Sequence, residues 1–147
     1  MRLMGLDYGS KTIGVALSDE LLMTAQPFET IWRDSETKLR KTLARIEEIV
    51  KEKNVQTIAL GLPLMEDGSE GERVKLTYQF KEKLENRLPG IEIVMVDERY
   101  TTAISKEELD IMNVKKSEQK TYIDQLAACY ILEEYMSKLK DTDKTKN

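Results

Sequence analysis

Four acidic residues sit where a chain can put them to chemical use. Asp7 ends the short apolar run that begins at Leu3. Asp97 and Glu98 follow a second run, Ile91-Glu92-Ile93-Val94-Met95-Val96, and Asp124 falls in Ile123-Asp124-Gln125-Leu126-Ala127-Ala128. A carboxylate at the end of a buried strand is costly if left unpaired, so it needs a partner or a cation. Adjacent carboxylates at the C-terminal end of a strand stand where open α/β sheets bind ligands. Side chains alternate along a strand, so Asp97 and Glu98 point to opposite faces and one of the two reaches a shared ion. Each acid also has a plainer reading. Asp7 is then a turn residue accepting backbone hydrogen bonds, Glu98 a surface partner of Arg99, and Asp124 an exposed acid in the first turn of a helix.

What the chain lacks narrows the chemistry. Its 147 residues include no histidine and one cysteine, Cys129. That removes Ser-His-Asp and Cys-His catalysis, together with zinc and iron–sulfur sites. A metal here is held by oxygen ligands, which favours Mg²⁺ or Mn²⁺. Of seven glycines, three fall in residues 5 to 14 and three in the stretch Gly61 to Glu72. Glycine gathered at strand ends suggests loops that approach a ligand. The second stretch is not a Walker loop, because it has no Gly-Lys-Ser/Thr.

Charge limits the possible partners. Lys and Arg number 23 against 27 Asp and Glu, a net charge of −4, so bulk charge does not draw this chain to nucleic acid and local basic patches would be needed. Arg33, Lys38, Arg40, Lys41 and Arg45 against Asp34 and Glu36 make a local +3, which reads as a solvated helix face. Lys115, Lys116 and Lys120 come just before Asp124 and border the candidate site. No apolar run approaches the roughly 18 residues of a membrane span. Asp7 comes too early for a secretory signal, and a lone cysteine fits a reducing compartment. The expectation is a cytoplasmic protein with no membrane partner.

The elements that must position these residues follow from periodicity. Leu3 to Asp7 and Thr12 to Ser18 read as a hairpin, with a third strand over Phe28 to Trp32. Leu39, Leu43, Ile46 and Val50 predict a helix from Glu36 to Lys53, capped by Ser35. A strand over Val55 to Leu60, a helix over Arg73 to Leu88 stopped by Pro89-Gly90, and a strand over Ile91 to Val96 come next. A short helix near Thr102 to Met112 and a long one from Lys120 to Leu139 complete a βββαβαβαα order. Ile123, Leu126, Ala127 and Tyr130 mark the packed stripe of the long helix, with Asp124 at its edge. Its Ala127 and Ala128 are small enough to let it approach the sheet closely and carry Asp124 over the strand ends. Strands one to three are antiparallel, four and five parallel to the first, and right-handed crossovers place helices on the faces of a mixed sheet. One domain covers residues 1–139. Residues 140–147 contain no hydrophobe and are expected to form a flexible tail.

In order, Met4-Gly-Leu-Asp-Tyr-Gly-Ser-Lys-Thr-Ile-Gly-Val-Ala16, Gly61-Leu-Pro-Leu with Asp67-Gly-Ser-Glu-Gly71, Asp97-Glu-Arg with Thr101-Thr102, and Ile123-Asp with Ala127-Ala128 resemble the YqgF (RuvX) family. These four segments span residues 4 to 128. The resemblance implies a ribonuclease H-like fold with sheet order 3-2-1-4-5. It also implies a nuclease that matures the 5′ end of pre-16S ribosomal RNA, in a family earlier described as Holliday-junction resolvases. Asp7 matches the first-strand acid, Glu98 (with Asp97 beside it) the second, and Asp124 the helix acid. Together Asp7, Glu98 and Asp124 would hold one or two Mg²⁺ or Mn²⁺ ions. Ser10, Lys11, Arg99, Lys115, Lys116 and Lys120 are the candidates for gripping phosphates. Tyr100 stands where the family has Leu, and Gln125 where Lys is common. In the implied sheet order strand five is about 9–10 Å from strand one, so Glu98 joins Asp7 only by folding back over strand four.

The implied partner is nucleic acid, structured RNA ahead of a branched DNA junction, with a pre-ribosomal particle as a further partner and a monomer or homodimer as the acting unit. Two readings of other classes stand beside this one. Asp7-Tyr-Gly-Ser10 also resembles the phosphate loop of actin-like and sugar-kinase ATPases, which need a second domain that 147 residues do not supply. The other is a nucleic-acid-binding module without catalysis, a reading that the presence of all three acids weakens.

Overall fold

The computed structural model describes residues 1–35, 38–65, 67–98 and 115–145; for 116, 117, 119–121 and 142–145 it describes the backbone alone. Strands β1 (Arg2–Tyr8), β2 (Thr12–Ser18), β3 (Ala25–Trp32), β4 (Val55–Leu62) and β5 (Glu92–Asp97) form one sheet. Its order is β3-β2-β1-β4-β5. β1, β2 and β3 are antiparallel neighbours, while β4 and β5 run parallel to β1. The ends of β1, β3, β4 and β5 and the start of β2 therefore share one edge of the sheet.

Alternation along β1 sorts two cores. Met4, Leu6 and Tyr8 join Ile13, Val15 and Ile31 under helices α1 (Arg40–Glu52) and α2 (Glu72–Arg87), with Leu43, Ile46, Ile49, Phe80 and Leu84. Leu3, Ala16, Ala59 and Val96 face the other way, against Ala128, Ile131, Leu132 and Met136 of the last helix, α3 (Lys116–Thr145). β1 and β2 are covered on both faces, which is why their sequences read as nearly continuous apolar runs. Gly9 N–H closes their hairpin on Thr12 O at 2.8 Å.

Several boundaries differ from the sequence expectation. α1 begins at Arg40 with Leu39 at its N-cap, because Lys38 N–H bonds to Ser35 O at 3.2 Å and closes a turn there. Ser35 is thus a turn residue and not the helix cap. β3 starts at Ala25, and Pro27 lies inside it opposite Ala16, beside a register shift. An edge strand tolerates the missing N–H at such an irregularity. α3 starts at Lys116 and runs past Leu139 to Thr145, since a helix once formed propagates through polar residues. Residues 140–145 thus continue the helix. The short helix expected at 102–112 lies outside the described residues.

Candidate active site

Asp7 stands at the C-terminal edge of the sheet, on the α3 face, because it alternates in step with Leu3 and Gly5. Two glycines bring the other acids to it. Across the hairpin, Asp7 pairs with Gly14. A Cβ on Gly14 would overlap the Asp124 carbonyl group and stand 3.0 Å from the Gln125 amide nitrogen. α3 therefore rests directly on β2 at Asp124. One turn further on, the Ala128 carbonyl meets Gly5 in the same way. Gln125 Nε2 donates to Thr30 Oγ1 at 3.1 Å and ties the helix sideways to β3. The helix face turned inward carries Ala127, Ala128, Ile131, Leu132 and Met136, with Ile123, Leu126 and Tyr130 only half-buried. Asp124, spaced four and eight residues before Ala128 and Leu132, lies in line with that face rather than at its edge.

Glu98 reaches Asp7 by the fold-back that the sheet order requires. Leu6 pairs with Leu60, which puts Gly61 beside Asp7. Glu98 N–H bonds to Leu62 O at 3.2 Å, turning the chain at the end of β5. Its carboxyl then lies over Gly61, with Oε2 2.7 Å from where a Cβ would stand. There it hydrogen-bonds the Asp7 carboxyl. Asp97 stays in the ladder opposite Leu62 and acts on Glu98 through its charge. Of the adjacent pair, Glu98 is the one that meets Asp7.

Both carboxyls of this pair are pushed above their ordinary range. For Glu98 burial is the largest cause, followed by the Asp7 charge and the hydrogen bond to it. For Asp7 burial again leads and lifts it to about 6, with the Glu98 hydrogen bond pulling it down and the Asp124 charge pushing it up. Burial and mutual repulsion thus favour keeping a proton on the pair.

Arg73 opposes both shifts, and the sequence reading missed it. It lies in the first turn of α2, donates to Tyr8 O at 3.2 Å, and stands 5.2 Å from the centre of the Tyr8 ring. Its one sequence signal is its place directly after the Gly61–Glu72 stretch.

The predicted phosphate-gripping residues divide. Ser10 and Lys11 are exposed in the turn after Asp7, at the same edge, and Lys115 is exposed just before α3. Lys116 and Lys120 lie in the first turns of α3, with their side chains outside the described residues. Arg99 lies outside them altogether.

The donor set fits a hard divalent cation: every candidate ligand is a carboxylate oxygen. Glu98 Oε2 and Asp124 Oδ2 are buried atoms with no hydrogen-bond partner among the described residues, though each residue makes other polar contacts. In the arrangement described, no three acidic groups among the described residues stand close enough to share one ion.

A five-stranded mixed sheet in this order, with acids at the end of β1, at the end of β5 and on the covering helix, defines a RuvC-like ribonuclease H fold. Solved structures with that fold include Thermus thermophilus RuvC, at TM-score 0.57 and 13% identity over 95% of this chain and 97% of that one. The fowlpox virus Holliday junction resolvase matches at 0.55 and 17%, over 94% and 99%. Residues 1–138 match the family model described as "RuvX: Holliday junction resolvase", and the chain belongs to this family. A Lachnospira eligens protein named "Putative pre-16S rRNA nuclease" is 49% identical over 92% of this chain and 96% of its own length. An Agathobacter rectalis protein of the same name is 44% identical over 97% and 99%. Among the described residues, no helix is long and apolar enough to cross a membrane.

Proposed function

We propose that this chain is a divalent-metal-dependent nuclease that hydrolyses phosphodiester bonds at the 5′ end of pre-16S rRNA, in the cytoplasm and on a pre-ribosomal particle. The observation that carries the reading is the convergence of acids from three elements. Glu98 folds over Gly61 onto Asp7, and Asp124 is pressed against Gly14 opposite Asp7. The family supports the reaction class, and the names of the two relatives favour the RNA substrate.

Asp7, Glu98 and Asp124 are the residues that would hold the cation. When bound, a divalent ion makes water a nucleophile at neutral pH and stabilises the leaving oxygen. The chain's own residues do the rest. Asp7 and Glu98 would release to solvent any proton that burial keeps on the pair, so that three carboxylates face the substrate. Arg73 holds their charge in check from the α2 side, and Ser10, Lys11 and Lys115 stand at the same edge to meet the phosphates on either side.

Cleavage of a 16S precursor leader and of a four-way DNA junction, with Mg²⁺ or Mn²⁺, tests this reading on wild type and Asp7→Asn. Metal-dependent cutting of the RNA, lost in the variant, is the expected result. The family model's description favours one second reading, a junction resolvase acting as a symmetric dimer, and paired cuts in the junction alone would establish it. Failure to cut either by folded protein overturns both readings and leaves a nucleic-acid-binding module.

A further inference from the structure

The chain's only tryptophan, Trp32, ends β3. Ile31 packs into the α1 side of the sheet, so Thr30 and Trp32 face the α3 side. Thr30 meets Gln125 of α3 there, and Trp32 pairs with Thr12 at the start of β2. Trp32 is thus on the same face and the same edge as Asp7, two strands across and two residues further along, about 12 Å away. It is 55% exposed and adds little to either core.

Beside it opens a cavity of about 570 Å³ lined by Trp32, Arg33, Asp34, Lys38, Arg40 and Lys41, among others. Four cationic side chains face one acid there, in a chain whose net charge is −4. Lys38, Arg40 and Lys41 are exposed and pair with no acid among the described residues. The first turn of α1 adds to the field, for it contains no acidic residue and no side chain caps it. Arg33 ties the cavity to the candidate active site: it donates to Gly9 O, its backbone N–H bonds to Lys11 O at 2.9 Å, and its guanidinium lies 4.9 Å from the centre of the Tyr8 ring. The basic run that reads in sequence as a solvated helix face is, in the fold, one wall of a cavity with an aromatic at its mouth.

We propose that Trp32 and this cavity bind an unpaired nucleotide of the substrate strand, next to the bond held at Asp7, Glu98 and Asp124. The base stacks on Trp32, and Lys38, Arg40 and Lys41 take its phosphate. Aromatic platforms beside cationic grooves hold single strands in this way. A base inside a duplex has both faces covered by its neighbours and offers none to Trp32. The inference rests on the reading that the chain acts on a nucleic-acid strand, and it specifies that the strand is unpaired beside the cut.

Because Trp32 is the sole tryptophan, its fluorescence reports occupancy directly. The experiment titrates Asp7→Asn protein in chelator with a short unpaired RNA, the same sequence as DNA, and a blunt duplex. Anisotropy of labelled strands measures affinity in parallel. Unpaired strands of either sugar are expected to quench Trp32, and the bound duplex to leave it unchanged. Placed in the Asp7→Asn background, Trp32→Ala should weaken single-strand binding about tenfold and Trp32→Phe should restore most of it. Lys38→Ala with Lys41→Ala should weaken binding further and flatten the salt dependence by about 1.4 in log–log slope. Absence of binding, binding without quenching, or a Trp32→Ala variant that binds unpaired strands unimpaired would overturn the proposal. Cleavage is scored separately with Asp7 intact: full activity in Trp32→Ala retires the pocket and keeps the nuclease, while quenching by a protein that cuts nothing does the reverse.

Discussion

Glu98 and Asp7 form a buried pair that the fold holds at a cost. Burial raises both carboxyls, so the folded chain keeps protons that the unfolded chain has already released near pH 4. The stability this pair contributes is complete below that range and is lost as pH rises, first through about 6, where Asp7 ionises, and then toward about 10, to which Glu98 is raised. In chelator, Asp7→Asn should therefore match wild type in acid and exceed it at about pH 8 by on the order of 1–3 kcal/mol, read as a widening gap in Tm. Adding Mg²⁺ or Mn²⁺ at a hundredfold excess over Kd should raise the wild-type Tm by about 5–10 °C, and raise that of Asp7→Asn much less. An unmoved wild-type Tm would count against three acids sharing an ion. Gly61→Ala tests the fold-back itself. Its Cβ would meet Ile131 Cδ1 at 2.5 Å and Glu98 Oε2 at 2.7 Å. We expect a loss of about 1–3 kcal/mol in stability together with loss of cleavage, because Glu98 is pushed off Asp7. Asp7 and Asp124 could be picked out from sequence because each sits in a patterned element. Alternation alone left Asp97 and Glu98 open and only the family resemblance pointed to Glu98, since the outcome depends on a turn that crosses a neighbouring strand at a glycine. Arg73 was hidden for a similar reason: its partners, Tyr8 and the two acids, are distant in sequence and meet it only across the crossover.

At the scale of elements, the site exists because α3 lies directly on bare backbone. Gly14 receives Asp124 and Gly5 receives Ala128, so the helix approaches closely along its first half. The Ala127-Ala128 pair made that approach readable in the sequence, and the hairpin and parallel strands were equally plain from their alternation and spacing. Helix ends were less so. Ser35 looks like a cap, but the first residue of the apolar stripe is Leu39, and α1 starts only where that stripe reaches the core. α3 outlasts its apolar face because, once the helix is formed, each further residue adds a backbone hydrogen bond. Gly14→Ala should separate packing from chemistry. With the Asp124 carbonyl in the way, the N-terminal half of α3 must lift, at a cost of about 3 kcal/mol or more by the overpacking rule. Circular dichroism should still show the helix while thermal melting shifts down and cleavage disappears. Ala128→Gly, which only removes a methyl and adds backbone freedom, should lower Tm modestly and leave cutting measurable.

Across the whole molecule, the proposed function asks an acidic chain to meet a polyanion at a single edge. The sheet direction gathers Ser10, Lys11, Arg33, Lys38, Arg73, Lys115 and the three acids at the C-terminal end of β1. At the opposite end Lys51 and Arg87 are both paired with Glu47. With a net charge of −4 the rest of the surface repels phosphate, so affinity should come from a handful of local contacts and not from a general field. Four phosphate contacts on a single strand would give a log–log dependence of affinity on salt of about −3, shallow for a nucleic-acid-binding protein. Lys11→Ala should reduce that slope by about 0.7 and weaken RNA binding, because it removes one contact at the working edge. Lys51→Ala, at the far end of α1, should change neither. A slope near −10, or equal effects from the two substitutions, would mean that the strand wraps a larger surface than this edge. A slope near zero in a protein that still cuts would mean that the bound cation and base stacking carry the recognition, and that the lysines at the edge only shape the approach.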